Sequence, residues 1–274
     1  MSEQKIGSML CPDCGKLISI SAEACIHCGR KNPGMWGLGS ALRGSLLKYG
    51  FTEIVTAMCV AYYIISLLLD PKALFKGGLF DFLGPSNFSL VMLGATGAHP
   101  ALEGRWWSLI TAVYLHGGLM HIFFNLMFLR QIAPQVEELF GTARLIFIYT
   151  FAGVIGFWVS NLRGIPLTIG ASGALFGLLG ALVAYGRMRG GTFGESIYRA
   201  GMQNALIMFM FGFLMSAVNN WAHGGGFIGG FLAVYLVGFA EQGRENFRVQ
   251  ALALAAIGFT ILCFGMVVWQ FIAG

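Results

Sequence analysis

Gly170-Ala171-Ser172-Gly173 opens an apolar run that continues to about Arg187. Its length and composition suit a helix crossing a bilayer, which takes about 20 residues. A serine between glycines has two readings there. Small residues let membrane helices approach closely, so the stretch can be a packing site, with Gly173, Gly177 and Gly180 as further small contacts. Alternatively, a serine in the first turn of a helix sits among backbone N–H groups that lack intrahelical acceptors, at the positive end of the helix dipole. A tetrahedral oxyanion formed there finds donors already in place. The surroundings decide between the two. His223 heads a second apolar run, and His116, His121 and Asn125 lie on a third. Polar side chains at membrane depth are costly and tend to be functional.

The composition agrees with a membrane setting. Charged residues are 11% of the 274 and hydrophobic residues 57%, with 40 glycines. A soluble domain averages roughly 25% charged residues and about 7% glycine. The net charge of +5 is weak evidence for nucleic-acid binding, since basic residues of a polytopic protein collect in cytoplasmic loops. The chain starts with a polar, cysteine-bearing segment, so no signal peptide is expected.

Residues 1–32 read as a separate small module. Cys11-Pro12-Asp13-Cys14-Gly15 and Cys25-Ile26-His27-Cys28-Gly29 are paired C-x-x-C knuckles whose four thiolates can meet one Zn²⁺ tetrahedrally. Two disulfides are the rival and require an oxidising compartment. The zinc would be structural rather than catalytic. Cys59 and Cys263 fall alone on apolar runs and read as small buried residues. Residues 33–50 form a glycine-rich linker or juxtamembrane segment. Spans are expected near Thr52–Leu69, Trp107–Arg130, Leu145–Leu162, Ser172–Arg187, Met202–Val218, Trp221–Ala240 and Ala251–Ala273. Between the first two, Asp70 to about Arg105 is broken by Pro71, Gly77-Gly78, Gly84-Pro85 and Pro100. It nevertheless carries Phe75, Leu79, Phe80, Phe82 and Leu83. An interfacial, partly helical connection fits that mixture.

A cytoplasmic N-terminus puts Lys5, Lys16, Arg30, Lys31, Arg43, Lys48, Arg130, Arg144, Arg187, Arg189, Arg199, Arg244 and Arg248 inside. Only Lys72, Lys76, Arg105 and Arg163 are then left outside. The cysteines thus face a reducing compartment, which favours zinc over disulfides. With this topology His116, Ser172 and His223 all fall in the outer halves of their spans. The glycines after His223 (224, 225, 226, 229 and 230) clear a helix face for close approach to the Ser172 helix. A histidine there can take the serine proton and return it to a leaving amine. No carboxylate is placed to orient it, so a Ser-His dyad is expected rather than a triad. His121 and Asn125, four apart, share a helix face and can donate to an oxyanion. His116, about 140° around an ideal helix from His121, is expected to anchor the external connection. No H-E-x-x-H pattern supports a metalloprotease.

His116-Gly-Gly-Leu-Met-His121-Ile-Phe-Phe-Asn125, Gly170-Ala-Ser172-Gly173 and Ala222-His223 resemble the rhomboid intramembrane serine proteases over about Phe51 to Gly243. Val136-Glu137 with Gly141 resembles that family's turn after the second helix. The resemblance implies an all-α polytopic membrane protein with a six-helix core at 51–243. The seventh span at 244–274 and the zinc-ribbon-like module are additions to it. It also implies Ser172 as nucleophile, His223 as base, and an oxyanion hole from the Ser172 amide, His121 and Asn125. Phe176 stands where certain members stack a tyrosine on the histidine, and Trp107-Ser108 where many carry Trp-Arg. The implied location is a bacterial inner membrane with the site toward the outside. The implied partners are transmembrane protein substrates and membrane lipid, without nucleic acid. A catalytically inactive binder of membrane segments and a transporter are the alternative readings. Inverted repeats, which would favour a transporter, are not visible.

Overall fold

The helix that begins at Ser172 is apolar on every side, and a helix of that kind belongs inside a bundle. The computed structural model, which describes residues 8–11, 13–19, 22–33, 38–71, 82–99, 102–214, 218–242 and 245–273, puts it there. Lys5, Pro12, residues 72–81 with Lys72, Lys76 and the apolar Phe75, Leu79 and Phe80, Pro100, Gly243 and Arg244 lie outside the described residues.

The chain is mostly helical. A short antiparallel hairpin comes first, β1 (Ser8–Leu10) with β2 (Leu17–Ser19), pairing Met9 with Ile18. The long helices are α1 (Leu38–Leu69), α4 (Leu119–Phe140), α5 (Thr142–Leu162), α6 (Ser172–Arg189), α7 (Gly191–Leu214), α8 (Asn220–Val237) and α9 (Phe247–Ala273). Two short helices stand between α1 and α4: α2 (Asn87–Met92) in the connection after α1, and α3 (Ser108–Thr111) just ahead of α4. Every residue of α6 from Gly173 to Gly186 is buried, and α5, α7 and α8 pack around it. The helices α5, α6 and α8 meet through glycine. A Cβ at Gly226 would run into the Gly173 carbonyl, one at Gly230 into the Gly177 carbonyl, and one at Gly180 into the Phe227 carbonyl. At Gly156 it would stand 2.7 Å from the Ala222 oxygen. These backbones touch because no side chain keeps them apart.

By length and apolarity alone, three helices of the described residues qualify as membrane spans, 50–69, 142–162 and 247–273. A bent pair, Ser108–Tyr114 with Leu119–Phe140, brings the number to four. The helices α6, α7 and α8 are long enough but are diluted by glycine and by polar ends such as Arg187, Arg189, Asn220 and His223. The bend corrects one expectation. The second span is not one continuous helix: α3 and a following 3-10 turn (Ala112–Tyr114) meet α4 at 94°. Leu115 is extended and Gly118 caps α4, so the backbone leaves helical geometry between them. Residues 38–49, expected as linker or juxtamembrane chain, are helical up to a break at Gly50 (φ 66°, ψ 160°).

The last helix is a brace. Its buried positions, Val249, Ala253, Thr260, Cys263 and Val267, lie on one face at spacings of three, four or seven. The Phe264 ring meets Tyr62 and Tyr114 edge-on, Phe259 stacks on Trp106, and Gln270 donates to the Met92 carbonyl at 2.7 Å. At its other end Glu245 accepts from the Ala143 amide at 2.6 Å, capping α5. Buried Arg144 donates to the carbonyls of Val237 and Phe140 at 2.8 and 2.9 Å, satisfying helix ends that would otherwise be orphaned.

Candidate active site

Ser172 begins α6, and the turn before it is set by Gly170 at φ 113°, a conformation L side chains rarely adopt. The Gly170 amide donates to the Ala112 carbonyl at 2.9 Å. Four residues before Ser172, Thr168 exchanges two backbone hydrogen bonds with Thr96, at 2.6 and 3.3 Å. On α8, His223 is buried, and its Nε2 lies 2.9 Å from the Ser172 Oγ. With Nε2 accepting from the hydroxyl, the neutral ring carries its proton on Nδ1. That Nδ1 is buried with no hydrogen-bond partner among the described residues. Phe176, one turn into α6, stacks on the imidazole at 4.2 Å between centroids and 15° between planes. The ring contact fixes the imidazole plane without any help from a hydroxyl.

His121 comes to the same place from α4, and Asn125 follows it one turn along that helix. The Gly117 amide donates to His121 Nδ1 at 3.2 Å, so the proton of the neutral ring is on Nε2. That nitrogen borders Gly170: a Cβ there would stand 2.7 Å from it. Asn125 spends one N–H on the His121 carbonyl at 2.9 Å, which leaves its second N–H as a potential donor. Its Oδ1 is buried without a partner among the described residues. His116 differs from expectation. It precedes α4, so ideal-helix geometry does not apply to it. It is fully buried, its Nδ1 pairs with the Tyr114 carbonyl at 3.3 Å, and its ring lies edge-on to His121 at 5.1 Å. It therefore backs His121: its ring meets that residue and its hydrogen bond goes to the Tyr114 carbonyl, where anchoring of the connection after α1 was expected. That anchoring comes from Arg105, whose guanidinium donates to the Val91 carbonyl at 2.9 Å. Ser108 bonds back to the Arg105 carbonyl at 2.6 Å. The guanidinium thus enters from a position just before the Trp107-Ser108 pair.

Asn219 was not singled out from the sequence. Its Oδ1 accepts from the amides of Trp221 and Ala222 at 3.1 and 3.2 Å, capping α8 one turn before His223. A cap of this kind contributes about 1 kcal/mol. Its Nδ2 donates to Ser160 Oγ at 2.6 Å and to Thr168 Oγ1 at 3.0 Å. An Asn just ahead of an apolar run is a helix-start signal, and that signal was available.

The second cluster lies in the N-terminal module. Cys11, Cys14, Cys25 and Cys28 hold all four sulfurs within 4.8 Å of one another, and none is in a disulfide. Cys11 and Cys28 are 3.7 Å apart, Cys14 and Cys25 3.6 Å. Tetrahedral zinc with Zn–S of about 2.3 Å separates its sulfurs by about 3.8 Å, so the four thiols fit such an ion. Gly15 and Gly29, at φ 67° and 72°, close the two knuckles by returning their amides to the Cys11 and Cys25 carbonyls at 2.8 Å. Burial opposes ionisation of Cys25, while the amides of His27 and Cys28 and the neighbouring Cys28 and Cys11 thiols, all directed at its sulfur, hold the thiol below its ordinary value. His27 is not among the clustered ligands. Arg30, paired with Asp13 at 2.6 Å, lays its guanidinium on the Phe247 ring at 4.2 Å.

A family model described as the Rhomboid domain matches residues 103–240, half of the chain. The chain is 34% identical over 179 residues to Rhomboid protease GluP of Bacillus subtilis, covering 65% of this chain and 35% of that one. RHOMBOID-like protein 5 of Arabidopsis thaliana is 38% identical over 161 residues, 57% of this chain and 52% of its own. Rhomboid-like protease 3 of Toxoplasma gondii is 27% identical over 213 residues, covering 76% of this chain and 77% of its own. The chain thus spans between a third and about half of the length of the first two relatives. The matched stretch carries, in order, His116 just before α4, His121 and Asn125 on α4, the Gly170–Gly173 turn and Phe176 at the start of α6, and His223 on α8. This integral membrane protein is a member of the rhomboid family.

Proposed function

We propose that this chain is an intramembrane serine endopeptidase that cuts the transmembrane segments of other proteins with a Ser172–His223 dyad. The observation that carries the reading is the 2.9 Å approach of His223 Nε2 to Ser172 Oγ, joining residues 51 positions apart in the sequence. Two of the relatives, from Bacillus subtilis and Toxoplasma gondii, are named as proteases, in keeping with that chemistry. The Ser172 hydroxyl adds to the scissile carbonyl carbon while its proton passes to His223 Nε2. The carbonyl oxygen becomes an oxyanion beside the Ser172 amide, the His121 Nε2–H and the free N–H of Asn125. Collapse breaks the C–N bond, and His223 returns the proton to the leaving amine. Water, activated by the same imidazole, then frees the acyl group and restores the serine.

The distribution of Lys and Arg supports a cytoplasmic N-terminus, which puts the dyad toward the outer face. Trp221, two residues before His223, is half exposed and carries the Arg163 guanidinium at 4.2 Å, a pairing suited to an interface. A helical substrate hides its peptide bonds in i→i−4 hydrogen bonds, so it must unwind to reach Ser172. Segments with Gly or Pro near the outer end unwind most cheaply. Mass spectrometry of products from one reporter substrate tests this, comparing outer-end Gly→Leu variants with matched inner-end variants. Cleavage in the outer half, slowed by the outer-end change alone, is expected. Cuts in the cytoplasmic half would refute the orientation.

The four cysteines are proposed to hold one structural Zn²⁺, which would supply folding stability to the module. Full-length protein should contain one equivalent of zinc by elemental analysis, and Cys11→Ser with Cys28→Ser should contain none. Membrane-embedded residues of the site lie outside the module, so both proteins are expected to cleave the reporter.

A further inference from the structure

We infer that Asn219 is a positioning residue that sets how His223 meets Ser172, because its single amide side chain holds the segments carrying both. The inference rests on the protease reading above. The glycine faces of α6 and α8 bring the two backbones together, and where glycine meets backbone few side chains are present to fix their register along the helix axes. Hydrogen bonds are directional and can define it. The Asn219 side chain has two acceptor positions and two N–H groups, and all are used. Oδ1 takes the Trp221 and Ala222 amides, so it holds the first turn of the His223 helix. Nδ2 reaches Ser160 Oγ in the last turn of α5 and Thr168 Oγ1 in the segment leading into Ser172.

Both hydroxyls are buried, at 0% and 4% exposure, and they bond each other at 2.9 Å. Water does not replace Asn219 easily in such a place. The frame that it grips is itself tied down. Thr168 pairs with Thr96 through the backbone, and Asn161 donates to Thr96 Oγ1 at 3.0 Å. From this frame Ser172 is four residues away on one branch. On the other branch the His223 amide bonds directly to the Asn219 carbonyl at 3.2 Å. A small rotation at Asn219 is therefore transmitted to both reacting groups within one helical turn. Asn219 touches neither the scissile bond nor the transferred proton.

The test separates positioning from simple capping. Ser at an N-cap serves about as well as Asn, but its hydroxyl cannot also donate to Ser160 and Thr168. Asp keeps the cap and lets the two hydroxyls turn and donate to its second oxygen. Purified full-length Asn219→Ser, Asn219→Ala and Asn219→Asp, with Ser160→Ala/Thr168→Val, are compared for kcat, KM, melting temperature and rate of fluorophosphonate labelling. Ser172→Ala serves as the blank. The expected result is a fall in kcat of roughly 10- to 100-fold in the Ser, Ala and double variants, with KM nearly unchanged. Asn219→Asp should recover most of the loss, and the Ser variant should melt near wild type. Wild-type kcat in Asn219→Ser, or losses that simply follow melting temperature, would overturn the inference while leaving the protease reading intact. A wild-type chain that neither cleaves nor labels above the Ser172→Ala blank would remove the protease reading and this inference with it.

Discussion

Replacing Ser172 or His223 by Ala should abolish cleavage of a transmembrane reporter, an expected loss of about 10⁴-fold or more in kcat, while the protein stays folded. The size follows from the geometry. The Ser172 hydroxyl is a poor nucleophile unless its proton has somewhere to go, and His223 Nε2 at 2.9 Å is the acceptor that the described residues provide. Either substitution ends the same transfer, so the double variant should be no worse than each single one. The fold survives because α6 and α8 are held by glycine contacts and the Asn219 cap, to which neither side chain contributes. His121→Ala and Asn125→Ala provide a graded contrast. Each removes one oxyanion donor of several, and such a loss costs on the order of 10²–10³ in kcat. Turnover assays on purified protein, with melting temperatures, decide the matter. Undiminished turnover in Ser172→Ala would end the mechanism, and oxyanion variants equal to wild type would end that assignment.

Gly226→Val and Gly230→Val should each disrupt the bundle itself, removing activity together with stability. Even the first carbon of the new side chain runs into a carbonyl of α6, that of Gly173 or Gly177, so backbone must move against backbone. Overpacking a core usually costs about 1–3 kcal/mol, and a backbone obstacle puts these sites at or above the upper end. In a chain of this size that lowers the melting temperature by on the order of 5–10 °C. Gly258→Val and Gly265→Val are the controls, because nothing lies within 4 Å of a Cβ at either position on α9. They should fold and cleave as wild type does. Thermal melts of the four variants in one detergent make the comparison, and equal stability across all four would contradict the contact between α6 and α8.

The chain alone determined the membrane setting, the family's motifs and much of the layout. Sparse charge and long apolar runs specify membrane helices because unpaired backbone and charge are costly in lipid. The two C-x-x-C knuckles single out the four clustered cysteines through spacing, since both ends of each knuckle are local. Ser172, His223, His121 and Asn125 stood out because polar groups in apolar runs demand a reason. The tertiary structure decided what depended on distant segments. Periodicity treats Trp107–Arg130 as one span, whereas the chain turns by 94° there because Leu115 is extended and Gly118 starts a new helix. His116 thus lies ahead of α4 with its ring against His121, and Arg105 reaches the Val91 carbonyl. Asn219 acquires its importance from Ser160 and Thr168, 59 and 51 residues away, which no local pattern relates to it. Helix identity follows from composition over a few turns, but a hydrogen bond between segments exists only once packing has brought them within about 3 Å.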